Sequence, residues 1–176
     1  MTEFIANQEI SLQALQAGDR SEFARLVDAF SPQIYRLALK MLGDEQDAED
    51  VLQNTFMKAL QAIGKFEGRS SLSTWLYRIA RNKVYQQLRR KKRLSKLDAE
   101  AVVVNDVEDD AFSVEDVAKV HRCLKELIPE YKEVLILRFL EQMSYRQISH
   151  VVNCSLGTVK SRIYYAKLAL KAKMEA

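Results

Sequence analysis

A serine and a glutamine three residues apart, Ser144 and Gln147, stand before a short apolar pattern that stops at Asn153. No other feature limits the possible folds of this chain as tightly. In a Ser-x-x-Gln arrangement the serine side chain caps a helix start and the glutamine reaches back to the cap. Ile148, Val151 and Val152 then fall at i, i+3 and i+4 on one helical face, and Asn153, which tolerates left-handed backbone, ends the run. The chain turns at Asn153 and Cys154. Ser155 can cap a second helix with Val159, Ile163, Ala166 and Leu170 on its inner face. Thr158, Lys160, Ser161, Arg162, Tyr165 and Lys167 are left largely outside. Two short helices joined by a tight turn form a helix-turn-helix, whose second helix suits a DNA major groove. An ordinary helical hairpin with a solvated basic face shares this pattern, and charge weighs between the two. From Gln142 to Met174 every charged residue is Lys or Arg, the electrostatic footprint that phosphate binding requires.

The same question of charge recurs along the rest of the chain. The net charge of +3 hides a strong segregation. Between Glu67 and Asp98 every charged residue is basic, from Arg69 to Lys96; from Asp98 to Asp116 every one is acidic. Basic, acidic and basic blocks in that order suggest one polyanion contacted twice, across an acidic linker.

Helical periodicity covers nearly everything outside the acidic block. Asp19 with Glu22 makes a capped start, and Phe23, Leu26, Val27, Phe30 and Ile34 follow on one face. Pro32 bends or interrupts this helix, the pattern resumes through Leu37, Ala38, Met41 and Leu42, and Gly43 ends it. Asp44 with Asp47 opens the next helix, with Ala48, Val51, Leu52, Thr55, Phe56, Ala59, Leu60 and Ile63 inside. A loop from Gly64 to Ser73 precedes a helix from Thr74 to about Leu94, where Trp75, Leu76, Ile79, Ala80, Val84 and Leu88 are candidates for burial. Ser113 with Asp116 opens a helix through Val117, Val120, Leu124, Leu127 and Ile128, before Pro129. The expected fold is all-α: two small helical domains, 1–95 and 113–176, joined by an acidic flexible linker at 96–112, the second containing the helix-turn-helix.

Several classes of function are disfavoured. No apolar run approaches twenty residues and no basic start leads into an apolar segment, so a cytoplasmic protein is expected. Two cysteines do not make a disulfide framework. His121, Cys123, His150 and Cys154 tempt a zinc reading, but His121 and Cys123 point apart on a helix and only His150 and Cys154 share a face. There is no phosphate-cradling glycine loop, nucleophile elbow or His-x-x-x-His pair, so neither an enzyme nor a cofactor is expected.

Three segments, in order, resemble one family. DAEDVLQNTFMKAL at Asp47 to Leu60, FEGRSSLSTWLYRIARNKVYQQLRR at Phe66 to Arg90, and LIPEYKEVLILRF at Leu127 to Phe139 with SYRQISHVV and GTVKSRI are similar to the extracytoplasmic-function sigma factors, the two-domain specificity subunits of bacterial RNA polymerase. The resemblance implies that Asp50, Gln53, Asn54 and Met57 meet the clamp helices of core polymerase, whose flap is a further contact. It implies that the loop and helix after it bind the non-template strand of the minus-ten element. Phe66, Gly68, Ser70 and Ser71 would form a pocket for a base taken out of the stack; Tyr77, Arg78, Arg81 and Asn82 would contact strand and bases. Trp75, the only tryptophan, is expected in the core with one edge at the strand, and Arg89 and Arg90 on phosphates. In the second domain Thr158, Lys160, Ser161 and Tyr164 or Tyr165 would meet the minus-thirty-five element, with Arg162 and Lys167 on phosphates or in internal pairs. The family often has arginine where Tyr165 stands, and an acid is common where Gln86 and Gln87 stand. The resemblance also implies an anti-sigma partner and a linker threaded through the polymerase's RNA path.

The rival reading is a stand-alone regulator that binds a palindrome as a dimer through its second domain. A polymerase-docking helix followed by a basic, aromatic strand-binding helix has no use in such a protein, and the first domain therefore discriminates.

Overall fold

A computed structural model describes residues 10–94 and 114–175, and these residues contain helices and no strand. The expected acidic linker at 96–112 and the Ser113 cap lie outside them. The first domain comprises α1 (Leu12–Gln16), α2 (Arg20–Leu42), α3 (Glu45–Ala62), a single tight turn at Ile63–Lys65, and α4 (Leu72–Leu94). The second comprises α5 (Val114–Lys125), α6 (Pro129–Leu135), a wide π turn at Ile136–Leu140, α7 (Tyr145–Val152) and α8 (Leu156–Glu175).

Helix ends follow the local chemistry. The Asp19 carboxylate accepts from the amides of Ser21 and Glu22, and Asp44 accepts from the Asp47 amide at 2.8 Å. Each cap satisfies donors that the first turn leaves open and sets a negative charge at the positive end of the helix. Gly43 stops α2 in the left-handed region (φ 69°), and its amide donates to the Leu39 carbonyl. Pro32 is carried inside α2 without ending it: the helix runs through, with the Ser31 hydroxyl donating back to Val27. In the second domain both bonds of the Ser144/Gln147 box form, Asn153 adopts the left-handed conformation (φ 53°), and Ser155 accepts from the Thr158 amide.

Three apolar faces make the first core. Leu26, Ile34, Leu37 and Ala38 of α2 meet Val51, Phe56 and Ala59 of α3 and Leu76, Ala80 and Val84 of α4. Val134, Leu137, Ile148, Val151, Val159 and Ile163 do the same for the second domain. Each fully buried branched side chain contributes roughly 1.5–3 kcal/mol, so the two cores dominate stability.

Three departures from the sequence reading have simple causes. Leu60, expected inside, is 56% exposed, because it lies one position round from Ala59 and past the edge of the buried stripe. Ile128, expected on the inner face of α5, is 53% exposed; α5 ends at Lys125, and the residue before Pro129 is held extended (ψ 147°). The short helix α1 has no counterpart in the sequence pattern. Its start is capped by Ser11, and it buries only Leu15.

The domains touch. α4 packs against α7, and α2 against α6 and the wide turn.

Candidate nucleic-acid interface

α3 presents the expected polar face. Asp50, Gln53 and Asn54 are exposed, and the Asn54 amide donates to the Asp50 carbonyl at 2.7 Å. Met57 is 59% exposed beside them. Leu60 extends the same surface by one turn, giving an apolar end to a polar strip, although periodicity alone places it in the core.

The loop between α3 and α4 is built from its two ends. Gln16 of α1 donates to the carbonyls of Ile63 (3.3 Å) and Phe66 (2.8 Å), fixing the start of the loop. No local motif announces that role, since the partners lie far along the chain. Gly68 takes a left-handed conformation (φ 69°), which a side chain would strain. Ser71 is exposed but its hydroxyl is engaged, accepting from the Thr74 amide at the head of α4 and donating to the Thr74 hydroxyl at 2.8 Å. Phe66 and Trp75 pack with ring centroids 4.9 Å apart, both half-buried, as expected for a core tryptophan with one exposed edge. Phe66, Ser70, Trp75 and Arg78 line a cavity of 550 Å³, together with Glu67, Arg69 and Thr74. His150 of α7 forms part of its wall.

Along α4 the expected strand residues divide into two groups. Arg78, Asn82, Arg89 and Arg90 are exposed. Tyr77 and Arg81 are turned toward the second domain. Tyr77 is 4% exposed and its hydroxyl donates to the Glu141 carboxylate. Burial and that carboxylate push the phenol well above its ordinary range. Arg81 donates to Glu133 at 2.7 Å and stacks over the Tyr85 ring at 4.5 Å, while the Tyr85 hydroxyl donates to the other Glu133 oxygen at 3.0 Å. Burial lifts the Glu133 carboxyl above the usual carboxylate range, and Arg81, Tyr85 and the nearby charge of Arg162 oppose it. The expectation that Tyr77 offers an exposed stacking face is therefore not met in this arrangement. Helical spacing identified the side of α4 but not the neighbour that covers it. At the far end of α4, Lys91 pairs with Asp47 of α3.

On α8, Lys160, Ser161, Tyr164, Tyr165 and Lys167 are exposed and Thr158 is half-buried. Tyr164 and Tyr165 stand 60% and 54% exposed in an edge-to-face pair at 5.3 Å. The Ser161 hydroxyl donates to the Gly157 carbonyl at 2.8 Å. Arg162 is half-buried and close enough to Glu133 to act on it, which makes it an internal counter-charge in this arrangement.

A third surface lies between the domains. Leu39 of α2 and Val120, Leu124, Leu135, Ile136, Phe139, Leu140 and Leu170 of the second domain line an apolar cavity of 400 Å³. Lys40, Lys125, Lys132 and Lys167 also line it, and no carboxylate does among the described residues.

Known proteins with both halves exist. The sigma-70 region 2 family matches residues 26–94, and the sigma-70 region 4 family matches residues 112–170. The ECF RNA polymerase sigma factor SigW of Bacillus subtilis (strain 168) is 32% identical over 176 residues, covering 93% of this chain and 94% of SigW. The RNA polymerase sigma-H factor of Pseudomonas aeruginosa is 33% identical over 177 residues, covering 93% and 92%. Among solved structures, the sigma factor RpoE in complex with the anti-sigma factor NepR from Bartonella quintana superposes with a TM-score of 0.76 at 25% identity, over 89% of this chain and 98% of that one. CnrH in complex with the cytosolic domain of CnrY gives 0.71 at 25% identity, over 93% and 94%.

Proposed function

The chain belongs to the extracytoplasmic-function sigma factors and directs RNA polymerase to promoters, and from that premise we propose how its residues divide the work. Residues 1–95 form the domain that binds core polymerase and opens the minus-ten element, 96–112 the linker, and 113–176 the domain that reads the minus-thirty-five element. Asp50, Gln53, Asn54 and Met57, with Leu60 added, dock on the clamp helices; the second domain takes the flap. The observation that carries the docking assignment is an exposed strip on α3 ending in two large apolar side chains, Met57 and Leu60, that no described residue of the first domain covers.

Strand opening needs no bond chemistry, and no catalytic group or cofactor is assigned. It requires a pocket and cations: a base leaves the stack at a cost of a few kcal/mol, which stacking and phosphate contacts offset. The cavity at Phe66, Ser70 and Trp75, flanked by Arg78, supplies the pocket. Asn82, Arg89 and Arg90 extend the cationic and polar track, and Tyr77 and Arg81 join it when the second domain moves away. On α8, Lys160, Ser161 and Thr158 face base edges, and Tyr164, Tyr165 and Lys167 face the backbone.

An anti-sigma protein is the partner assigned to the lysine-lined apolar cavity between the domains, whose chemistry suits an apolar helix with acidic flanks. The similar RpoE structure is a complex with the anti-sigma factor NepR, and that of CnrH a complex with the cytosolic domain of CnrY. Among the described residues no helix is long and apolar enough to cross a membrane, and a cytoplasmic location is proposed. Run-off transcription with core polymerase tests the whole reading. The expected outcome is core binding and initiation at discrete promoters, with poor binding to free duplex; tight operator binding as an isolated dimer, without core binding, overturns it.

A further inference from the structure

We propose that the second domain is an internal competitor for the minus-ten strand, using Glu133 and Glu141 as stand-ins for strand phosphates. The inference rests on the reading of α4 as the strand surface. Its basis is a geometry that occurs twice. Glu141, its side chain 2% exposed, takes Arg36 in a two-pronged pair at 2.8 and 2.9 Å and accepts from the Tyr77 hydroxyl. Glu133, also 2% exposed, takes Arg81 at 2.7 Å and accepts from the Tyr85 hydroxyl at 3.0 Å. In both cases one carboxylate of the second domain gathers one arginine and one tyrosine of the first.

A phosphate offers the same chemistry as these carboxylates: anionic oxygens that accept from a guanidinium and a phenol. The two acids therefore occupy donors suited to a nucleic-acid backbone. α7 adds a steric element, since His150 walls the cavity at Phe66, Ser70 and Trp75 where a flipped base would enter. Strand and second domain cannot hold the same donors together, so strand binding draws on the open fraction only, and apparent affinity falls by that fraction. Burial makes such a latch reversible. Desolvation of the two carboxylates offsets much of their attraction to the arginines, whose side chains stay 42% and 21% exposed, so each pair fixes an arrangement with a small net free energy.

The test uses the full chain with no polymerase and two probes, dye-labelled oligodeoxythymidylate and a mixed-sequence single strand of equal length. Small-angle scattering reports closure, and far-UV circular dichroism reports helix content. Glu133→Gln with Glu141→Gln is expected to enlarge the radius of gyration at unchanged helix content and to tighten single-strand binding at least tenfold. Arg36→Glu alone should also open the protein. Combined with Glu141→Arg, it should return both the radius and the weak binding to the parent values, which a variant that merely misfolds would not do. An unchanged radius in the double glutamine variant overturns the latch and leaves the reading of α4 standing. An enlarged radius with unchanged strand affinity overturns the competitor role and, with it, the reading of α4 as the strand surface.

Discussion

Arg36 and Glu141, 105 residues apart, form a parallel ion pair in which Nε and a terminal nitrogen of the guanidinium each meet one carboxylate oxygen, at 2.8 and 2.9 Å. The fork is geometrically selective, because a lysine could reach only one oxygen at a time. It ties the middle of α2 to the residue that closes the wide turn, and so sets where the second domain sits against the first. Substitutions in either domain must be judged by whether they disturb this contact.

Core binding has the simplest test. Asp50→Arg with Gln53→Ala should lower affinity for core polymerase at least tenfold, measured by competition with labelled parent protein. Both side chains are exposed, so stability should stay within about 0.5 kcal/mol. Leu60→Ser should weaken the same binding, as it removes the apolar end of the strip. Normal core affinity in all of these variants removes the docking surface from α3.

Asn82 is the residue to use for strand opening. Tyr77 is buried, and its truncation would cost about 3–5 kcal/mol of folding stability whatever its role in binding. Asn82 is exposed, so Asn82→Ala should leave the melting curve unchanged while slowing open-complex formation on duplex promoters. A template already melted at the minus-ten element should restore much of the rate, because the cost of unstacking has been removed. Equal defects on both templates would place Asn82 elsewhere.

Lys160 and Tyr165 separate sequence reading from charge. Lys160 projects from the early part of α8, where side chains reach base edges, and its truncation should change minus-thirty-five preference by roughly 1–3 kcal/mol per lost contact. Tyr165→Arg should strengthen holoenzyme binding to promoter and scrambled duplex alike and steepen its salt dependence by about one phosphate equivalent. A salt slope that does not change would falsify the placement of position 165 on the DNA face.

The buried Lys132 predicts a pH dependence. Burial, and secondarily the charge of Lys125, hold its amine down to about 8, and its Nζ contacts the Met41 carbonyl across the domain boundary at 3.4 Å. Lys40 of α2, His121 and Lys125 of α5, and Lys167 of α8 line the cavity it borders, and among the described residues no carboxylate does. The folded state prefers the neutral amine and the unfolded chain the charged one. Stability from this group is therefore full above the ordinary lysine value of 10.5 and is lost as pH falls to about 8. The loss is on the order of 3 kcal/mol. Lys132→Met should raise stability at about pH 7 and flatten the rise toward pH 9.5, read as the difference between parent and variant in urea titrations.

Features set within four residues could be read from sequence. The caps at Asp19, Asp44, Ser144 and Ser155, the stops at Gly43 and Asn153, and the helix-turn-helix all follow from spacing that the backbone itself imposes. Features set across the chain could not. Gln16 holds carbonyls 47 and 50 residues away, and nothing near it signals this. Arg81 and Tyr77 read as exposed strand residues because a helical pattern says which side is polar, while their carboxylate partners lie 52 and 64 residues downstream. The acids themselves look like ordinary members of a mixed segment. Only packing reveals that Glu133 and the Glu141 side chain are enclosed.

The wide turn at Ile136–Leu140 carries a consequence for how this protein can change. Its closing bond runs from the Glu141 amide to the Ile136 carbonyl at 3.0 Å, one residue longer than an α-helical turn. Removing a single residue there would restore ordinary winding with little change of phase, because four α-helical residues turn the chain about as far as the five of the wide turn; removing one from α6 ahead of it would instead swing the following side chains by about 100° around the axis, carrying the Glu141 carboxylate away from Arg36. Point substitutions alter the strength of the contact but not its angular phase. A one-codon change in α6 alters the phase directly, whereas one within the wide turn is absorbed by it, so whether a single length-changing event uncouples the two domains depends on which side of Ile136 it falls.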